Sequence, residues 1–229
     1  MIRLDKFLVH VNAGTRSTVK PLIKHGRVAI NGAVVKSPDF KFDEKTASVT
    51  LDGKPLVYEE YVYYMLNKPA GVVSACDDAR EKTVLDFFKN EPCIDLFPVG
   101  RLDKDTVGLL LITNDGALSH RLLAPGKHVD KKYFVRLRTP LKTRDKELLE
   151  AGVDIGDDTP THPAGLTETD NPSEVFLTIT EGRFHQVKRM FEAVGNEVVY
   201  LKRVSMGKLM LDEALPEGAF KKLTIEEIE

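Results

Sequence analysis

This 229-residue sequence contains only two cysteines, Cys76 and Cys93. They support neither a disulfide framework nor a metal site of common spacing, so we expect both to be small buried side chains in a reducing compartment. No uninterrupted apolar run approaches the length of a transmembrane helix. Residues Met1–Lys6 do not resemble a secretory signal peptide. These absences predict a cytoplasmic protein without a membrane partner.

Three common kinds of catalytic site also lack their sequence signals. The six histidines are dispersed and form no cluster with cysteine, so no metal site is expected. No glycine-rich loop has either of the usual phosphate-binding spacings, which argues against nucleotide-driven chemistry. No serine or cysteine stands in a recognisable nucleophile motif. Carboxylate, basic and tyrosine side chains remain as the candidates for chemistry.

The charge of the chain is unevenly distributed. Apolar residues make up 42% and charged residues 30%, as in an ordinary globular protein. Residues 1–58 contain ten Lys and Arg against five Asp and Glu, a net charge of +5, and the remainder carries −7. A basic module beside an acidic body favours contact of the module with a polyanion. We predict domains at 1–58 and 59–229, divided at the polar stretch 54–60.

The first 58 residues predict a small α/β module. Apolar residues at positions 4, 7, 8 and 11 follow the spacing of one helix face. A second helix is expected from Thr15 onward, with Ser17 as its N-cap. Asn31-Gly32 between two apolar triplets is a strong hairpin signal, and Ser48–Leu51 predicts a further strand.

Three segments of this module resemble an S4 domain, a small RNA-binding fold: Arg3–Leu8, Thr15–Ser17 and Gly26–Gly32. The resemblance implies that its basic and polar residues contact RNA, namely Arg3, Lys6, Arg16, Ser17, Lys20, Lys24 and Arg27. Any one of these charges is ordinarily a solvated surface group. The cluster favours RNA, because phosphate contacts are made by several Lys and Arg together.

The remainder of the chain predicts an α+β domain. Its sequence alternates between strand and helix patterns without an internal repeat, as in a mixed, largely antiparallel sheet with covering helices. Strands are expected at 61–66, 107–112, 131–137, 175–180, 198–204 and 208–211, with a last short strand after residue 218. Helices are expected at 83–88, 116–123 and 185–194, with a helical turn in the acidic tail.

The stretch Gly100–Gly116 contains the main candidates for a catalytic carboxylate. Asp103 and Asp105 lie on a polar turn directly before an apolar strand, and Asp115 can cap the helix that follows. Aspartates often only shape a turn. A turn anchored by a buried strand can also hold a catalytic carboxylate rigidly. The local pattern leaves both interpretations open.

Four segments of the body resemble ribosomal RNA pseudouridine synthases, and most closely the A type of those that act on the small ribosomal subunit. The matching segments are Met65–Gly71, Gly100–Leu109, Lys131–Tyr133 and Glu181–Phe191. Together with the S4-like segments they cover essentially the whole chain. Each motif alone is moderately specific, and all of them in this order are highly specific.

The resemblance implies roles for three residues. Asp103 corresponds to the family's nucleophile, whereas Asp105 is assigned to hydrogen bonding in the turn. Tyr133 corresponds to the tyrosine that packs on the extruded uracil. Lys188 stands where many relatives carry arginine; a cation there opposes the rise in pKa that burial imposes on a carboxylate. Weaker candidates for RNA contact are Arg101, Arg183, His185, Gln186 and Arg189. For each of them singly, surface solvation or a structural hydrogen bond is an equal alternative.

The implied reaction isomerises uridine to pseudouridine without cofactor, because it is redox-neutral and needs no phosphate donor. The implied substrate is 16S ribosomal RNA, at the family's uridine-516 site, free or within an assembling small subunit, and the enzyme is expected to be a monomer. Three alternatives stay open at this point. They are a 23S ribosomal RNA pseudouridine synthase, a non-catalytic ribosome assembly factor, and a metal-dependent nuclease that uses Asp103 and Asp105.

Overall fold

The computed structural model describes residues 1–91 and 95–229, so Cys93 lies outside the described residues. The chain divides into two compact units. One comprises Met1–Val62 with Phe88–Leu96, and the other comprises Tyr63–Phe87 with Phe97–Glu229. The domain division at 1–58 and 59–229 stays a proposal. In the part of the chain that the structure describes, no helix combines the length and apolar character needed to cross a bilayer.

The first unit is a small α/β module. Its helices and strands are β1 (Ile2–Arg3), α1 (Leu4–His10), α2 (Arg16–Lys24), β2 (Val28–Ile30), β3 (Ala33–Val34), β4 (Lys41–Phe42), β5 (Val49–Leu51) and β6 (Lys54–Leu56). Four strands form an antiparallel sheet in the order β3-β2-β5-β6, and β1 pairs with β4. The apolar face of α1 packs against α2 and this sheet to form the core of the unit.

Local sequence signals account for most of this unit. The predicted apolar stripe of α1 is confirmed, because Leu4, Phe7 and Leu8 are almost fully buried. The hairpin is also confirmed: Asn31 and Gly32 have φ angles of 49° and 80°, as a two-residue left-handed turn requires.

The predicted N-cap of α2 was wrong. Thr15, not Ser17, caps this helix, in a capping box that it shares with Thr18. No strand was predicted in the polar stretch 54–60, but Lys54–Leu56 forms the edge strand β6.

The second unit is built on one large sheet. Its strands and α-helices are β7 (Tyr63–Lys68), β8 (Phe97–Pro98), β9 (Val107–Thr113), α3 (Gly116–Leu123), β10 (Lys131–Leu137), α4 (Thr143–Ala151), β11 (Gly165–Glu168), β12 (Glu174–Ile179), α5 (Gln186–Ala193), β13 (Val198–Met206), β14 (Leu209–Met210) and β15 (Phe220–Leu223). Short 3₁₀ helices occupy Val84–Phe88, Pro125–Lys127 and Ile225–Glu227.

The order of strands is β11-β12-β10-β13-β9-β7-β15, with β14 added to β13 and β8 added to β9. Among the described strands, every pairing is antiparallel except that of β9 with β13. All seven residues of β9 are buried, as the apolar run predicted. Helix α3 packs through Leu118 against Leu109 and Leu111 of this strand. The fold class, a mixed and largely antiparallel sheet with a few helices, is therefore confirmed.

Several predictions for this unit were inaccurate. Strand β7 begins two residues later than predicted and continues to Lys68, and β13 continues to Met206. Helix α4 and the edge strand β11 were not predicted. Cys76 is exposed, so its prediction as a buried side chain was wrong.

Candidate active site

The turn that carries Asp103 is held by two residues, one at the end of β7 and one in the segment that follows it. Lys68 is fully buried at the end of β7. Its Nζ donates to the carbonyl oxygens of Asp103 and Thr106, at 3.1 and 2.8 Å, and to those of Pro69 and Lys104, at 3.1 and 3.4 Å. A single ammonium group therefore ties three carbonyls of the 103–106 turn to the sheet.

Ser74 holds the same turn on its other side. Its hydroxyl donates to the carbonyl of Leu102 at 2.9 Å and accepts from the N–H of Leu102 at 3.0 Å. Both backbone polar groups next to Asp103 are thus satisfied by one buried side chain. The backbone of Asp103 is consequently fixed from both directions, as a positioned carboxylate requires.

Burial lowers the pKa of Lys68 to about 8, and the charges of Asp105 and Asp103 partly oppose this effect. Four carbonyl oxygens compensate for much of the hydration that the ammonium group loses.

Helix α5 brings a cation to the two aspartates. Its apolar stripe, including Val187 and Met190, packs into the unit, whereas Lys188 lies on another side of the helix. Lys188 Nζ is 3.1 Å from Asp103 Oδ2 and 2.6 Å from Asp105 Oδ1. One lysine therefore contacts both carboxylates.

These contacts change the protonation of the partners. Burial alone would lower the pKa of Lys188, but the hydrogen bonds to Asp105 and Asp103 outweigh it and raise the pKa. Burial alone would raise the pKa of Asp105, but the hydrogen bond and charge of Lys188 outweigh it and lower the pKa. The cluster thus favours a protonated lysine and an ionised Asp105.

His185 stands directly before α5 in the left-handed region, with a φ of 49°. Its Nε2 lies 3.6 Å from Asp103 Oδ1. The imidazole is thus close to the carboxylate but beyond a good hydrogen-bond distance.

Tyr133 and Asp103 line the same inner cavity of about 70 Å³. Tyr133 lies on the inward face of β10 and is 7% exposed. Apolar side chains of Leu102, Ile179 and Leu201 complete much of this inner cavity. Asp103 also lines an adjoining outer cavity of about 650 Å³, which reaches residues 180–185. The structure thus brings together the three predicted catalytic residues, because Lys188 contacts the carboxylate of Asp103 and Tyr133 shares its cavity.

Two of the weaker candidates have side chains engaged by protein. Arg183 donates to Glu181 Oε2 at 3.0 Å and to the carbonyls of Thr159 and Pro160 at 2.5 and 2.9 Å. Arg189 donates to Asp157 at 2.6 Å and also binds the carbonyl of Ile155. These bonds favour a structural role, in which both arginines attach the 155–160 loop to the 181–189 segment.

Gln186 is also engaged: its Nε2 donates to Glu181 Oε1 at 2.8 Å. Arg101, in contrast, is exposed and lines both the inner and the outer cavity. The role of each of these residues in RNA contact stays a prediction.

In the first unit, four of the predicted RNA-binding residues surround one groove of about 270 Å³ between α1 and α2. We call it the basic groove; it is lined by Arg3, Asp5, Lys6, Arg16 and Lys20. Arg3 pairs with Asp5 at 2.8 Å.

The other three predicted RNA-binding residues lie outside the basic groove. Ser17 and Lys24 are exposed on α2. Arg27 is ion-paired with Asp52.

Two family models match the sequence of this chain. The model of the RNA pseudouridylate synthase family matches residues 62–193, and the S4 domain model matches residues 2–46. The chain belongs to the RNA pseudouridylate synthase family. It is therefore an enzyme that isomerises uridine in RNA, with an S4 RNA-binding domain in its first unit.

Full-length relatives agree with this assignment. A protein of Bacillus subtilis (strain 168) named "Uncharacterized RNA pseudouridine synthase YtzG" is 48% identical, over 99% of this chain and 97% of its own length. Proteins named "Ribosomal small subunit pseudouridine synthase A" are 42% identical in Haemophilus influenzae and 40% identical in Escherichia coli K12. The match covers 100% and 99% of this chain, respectively, and 98% of each relative.

A solved structure described as "Crystal structure of pseudouridylate synthase" matches with a TM-score of 0.69 and 41% identity. The match covers 100% of this chain and 98% of that one. The predicted family is therefore confirmed.

Sequence reasoning missed Lys68 and Ser74 as parts of the candidate site. Lys68 lies within a recognised motif, yet no role was predicted for it. A lysine that ends an otherwise apolar strand was the available signal, because lysine is rarely fully buried without a partner. Nothing local marks Ser74, since its partner Leu102 is distant in the sequence.

Proposed function

We propose that this synthase converts a uridine of 16S ribosomal RNA to pseudouridine, at the site corresponding to the family's U516, with Asp103 as the nucleophile. The observation that carries the catalytic part is the Asp103–Lys188 contact of 3.1 Å beside the cavity that holds Tyr133. The choice of 16S RNA is supported by the names of full-length relatives that are 40–42% identical to this chain.

The reaction breaks the bond from C1′ to N1, turns the uracil and joins C1′ to C5. The Asp103 carboxylate, beside the Lys188 ammonium, attacks either C1′ of the sugar, which displaces the uracil at N1, or the uracil ring. The bond to Asp103 breaks again before the product leaves, and N1 gains a proton as C5 loses one. Tyr133 packs on the extruded uracil in the inner cavity and helps to remove the C5 proton. The S4 domain supplies affinity for the RNA backbone through its basic residues.

The position of Lys188 argues against the nuclease alternative. A divalent cation held by Asp103 and Asp105 would take the place between the carboxylates that the lysine ammonium takes here. Residues 1–91 and 95–229 contain no group of three or more His, Cys, Asp or Glu side chains arranged to hold a metal ion.

Pseudouridine mapping with paired variants tests the proposal. Total 16S and 23S ribosomal RNA, free and within partly assembled particles, is incubated with the wild type, Asp103→Asn or Asp105→Asn. We expect one new pseudouridine in 16S RNA with the wild type and none with Asp103→Asn, although RNA binding is unchanged. Asp105→Asn is the matched control, because it makes the same change on the same turn and touches the same lysine; it retains the activity at a reduced rate.

Each other outcome identifies an alternative. A new pseudouridine in 23S RNA alone would replace 16S RNA as the proposed substrate. Modification that survives in Asp103→Asn and disappears in Asp105→Asn would reverse the roles of the two aspartates. Tight RNA binding without any modification would favour the assembly factor, and EDTA-sensitive cleavage of the RNA would favour the nuclease.

A further inference from the structure

An exposed aromatic pair lies on the open side of the outer cavity. Phe184 has 72% of its surface exposed, the most of any aromatic side chain among the exposed large hydrophobic residues that the structure describes. Its ring stacks on that of His185, with centroids 3.8 Å apart and planes 17° from parallel. Both rings line the same outer cavity as Asp103. The pair therefore places an accessible aromatic face beside the approach to the proposed nucleophile.

The backbone under this pair is held by a network of side chains. Glu181 accepts hydrogen bonds from Arg183 Nε and Gln186 Nε2, at 3.0 and 2.8 Å. Gln186 Oε1 accepts from the N–H of Arg183 at 2.9 Å, and the carbonyl of Phe184 accepts from Arg189 Nη1 at 3.0 Å. A mobile loop would spend binding energy on becoming ordered, whereas this segment is already ordered.

The left-handed backbone of His185 adds to this preorganisation. A non-glycine residue at a φ of 49° is uncommon and is kept only where the surroundings determine it. The conformation directs the chain from the 181–184 segment into α5 while leaving Phe184 outside the core. The fold thus maintains an exposed phenylalanine on a constrained segment.

From this geometry we propose that the Phe184 ring, backed by His185, is the stacking surface for the unpaired base next to the target uridine. The proposal rests on the proposed function above. Extrusion of the uridine toward Asp103 and Tyr133 removes a stacking partner from each neighbouring base. Stacking on an aromatic side chain restores that contact for one neighbour and tolerates any base, since every base has a π-face. Phe184 is therefore a positioning residue that contacts substrate outside the reacting atoms.

Steady-state kinetics on a hairpin of the ribosomal RNA that carries the mapped uridine provides the first test. We expect Phe184→Leu to raise KM about tenfold, which is the lower part of the range for loss of one base–aromatic stack. The kcat at saturating RNA stays within about twofold, because Asp103 and Lys188 are untouched. Phe184→Trp restores KM, since it returns an aromatic face, whereas leucine keeps only the apolar volume.

Fluorescence reports the stack directly and needs no turnover. 2-Aminopurine replaces the base on the 5′ or the 3′ side of the uridine, and the hairpin is bound at saturation by Asp103→Asn, which does not convert it. We expect the emission to be quenched at one of the two positions. Phe184→Leu in the same background abolishes that quenching, and Phe184→Trp retains it.

Met210→Ala is the matched control, because Met210 is an apolar residue of similar exposure, 69%, that lies outside both cavities of the site. It leaves KM and quenching at wild-type values. The proposal is overturned if Phe184→Leu behaves like this control in both measurements, or if neither 2-aminopurine is quenched. Failure of the proposed function is a separate result, since the wild type would then form no pseudouridine in any ribosomal RNA.

Discussion

Lys68 is the residue on which the geometry of Asp103 depends most directly. It donates to the carbonyls of Asp103, Lys104 and Thr106, and among the described side chains only Ser74 supports the neighbouring backbone in a comparable way. If Asp103 is the nucleophile, as proposed, the ammonium group acts on the reaction through the position of the turn and has no need to touch the substrate.

We predict that Lys68→Met lowers kcat about 10²-fold, because a shift of about 1 Å in a catalytic group has an effect of that size. KM changes little, since the residues predicted to bind RNA are untouched. Single-turnover kinetics at saturating RNA measures the effect. Lys104→Met is the control on the same turn: its ammonium group forms an exposed ion pair with Glu81 at 2.8 Å, which contributes little. Equal rates for the two variants would contradict the prediction.

The lowered pKa of Lys68 also predicts a pH dependence of stability. The folded chain releases this proton near pH 8, whereas the unfolded chain keeps it until about 10.5. Between these values the unfolded state binds more protons, so the contribution of Lys68 to the free energy of unfolding rises with pH. Urea unfolding of the wild type and of Lys68→Met across this window measures it. We expect the free energy of unfolding of the wild type, relative to that of the variant, to increase with pH. If the two curves of free energy against pH are parallel, the pKa of Lys68 is not lowered.

The sequence predicted which candidate side chains meet at the cavity better than it predicted the residues that support them. Asp103, Tyr133 and Lys188 stand in motifs with fixed spacing, so the resemblance named them together. The supports of the turn depend on contacts between distant segments, which local spacing does not reveal. For Arg183 and Arg189 a structural hydrogen bond was predicted as an alternative to RNA contact, but its partner was not named, because the 155–160 loop that supplies it has no motif.

At the scale of elements, β9 connects the turn that carries Asp103 to the rest of the sheet. It pairs with β7 on one side and, in parallel, with β13 on the other. Gly108 makes the second pairing possible, because a Cβ at this position would lie 2.3 Å from the carbonyl oxygen of Arg203. Its φ of 100° is also unfavourable for other residues.

We predict that Gly108→Ala destabilises the fold by at least about 3 kcal/mol, because neither backbone segment can move away within the sheet. The corresponding fall in Tm is about 6–12 °C for a protein of this size. Gly116→Ala is the control: an added Cβ there meets nothing within 4 Å, and the residue opens α3. Its Tm is unchanged or slightly higher. A Gly108→Ala variant within about 2 °C of the wild type would disprove the steric argument.

Elements with a strong pattern were predicted, and those without one were missed. Strand β9 was predicted from its continuous apolar sequence, and α5 from apolar residues at helical spacing; in both, these side chains are buried. In α4 only Leu149 is buried and Leu148 is exposed, so little periodicity is present to detect. Strand β11 is an exposed edge whose main contribution is backbone pairing with β12, and backbone pairing leaves no trace in residue types.

At the scale of the whole molecule, charge and chemistry are divided between segments of the chain. Residues 1–58 carry a net charge of +5 and include the basic groove, whereas the acidic remainder contains Asp103, Tyr133 and Lys188. The net negative charge of the remainder does not attract the phosphates of RNA. Non-specific affinity for RNA therefore depends on the basic residues of the first 58. This division predicts that affinity and turnover respond to different substitutions.

We predict that the triple variant Lys6→Gln, Arg16→Gln, Lys20→Gln weakens RNA binding and leaves kcat at saturating RNA unchanged. Each phosphate contact contributes about 0.7–1 to the slope of log affinity against log salt concentration. Loss of three contacts therefore reduces the slope by about 2–3. Filter binding of ribosomal RNA fragments over a salt series measures the slope, and pseudouridine formation at saturating RNA measures kcat.

A second triple variant, Lys36→Gln, Lys41→Gln, Lys54→Gln, removes the same charge from residues that do not line the basic groove. If phosphates occupy the groove, this control retains most of the wild-type slope. Equal slopes for both variants would mean that only the net charge of the module attracts RNA. A lower kcat for the groove variant would mean that the groove also positions the uridine, because affinity no longer limits the rate at saturation.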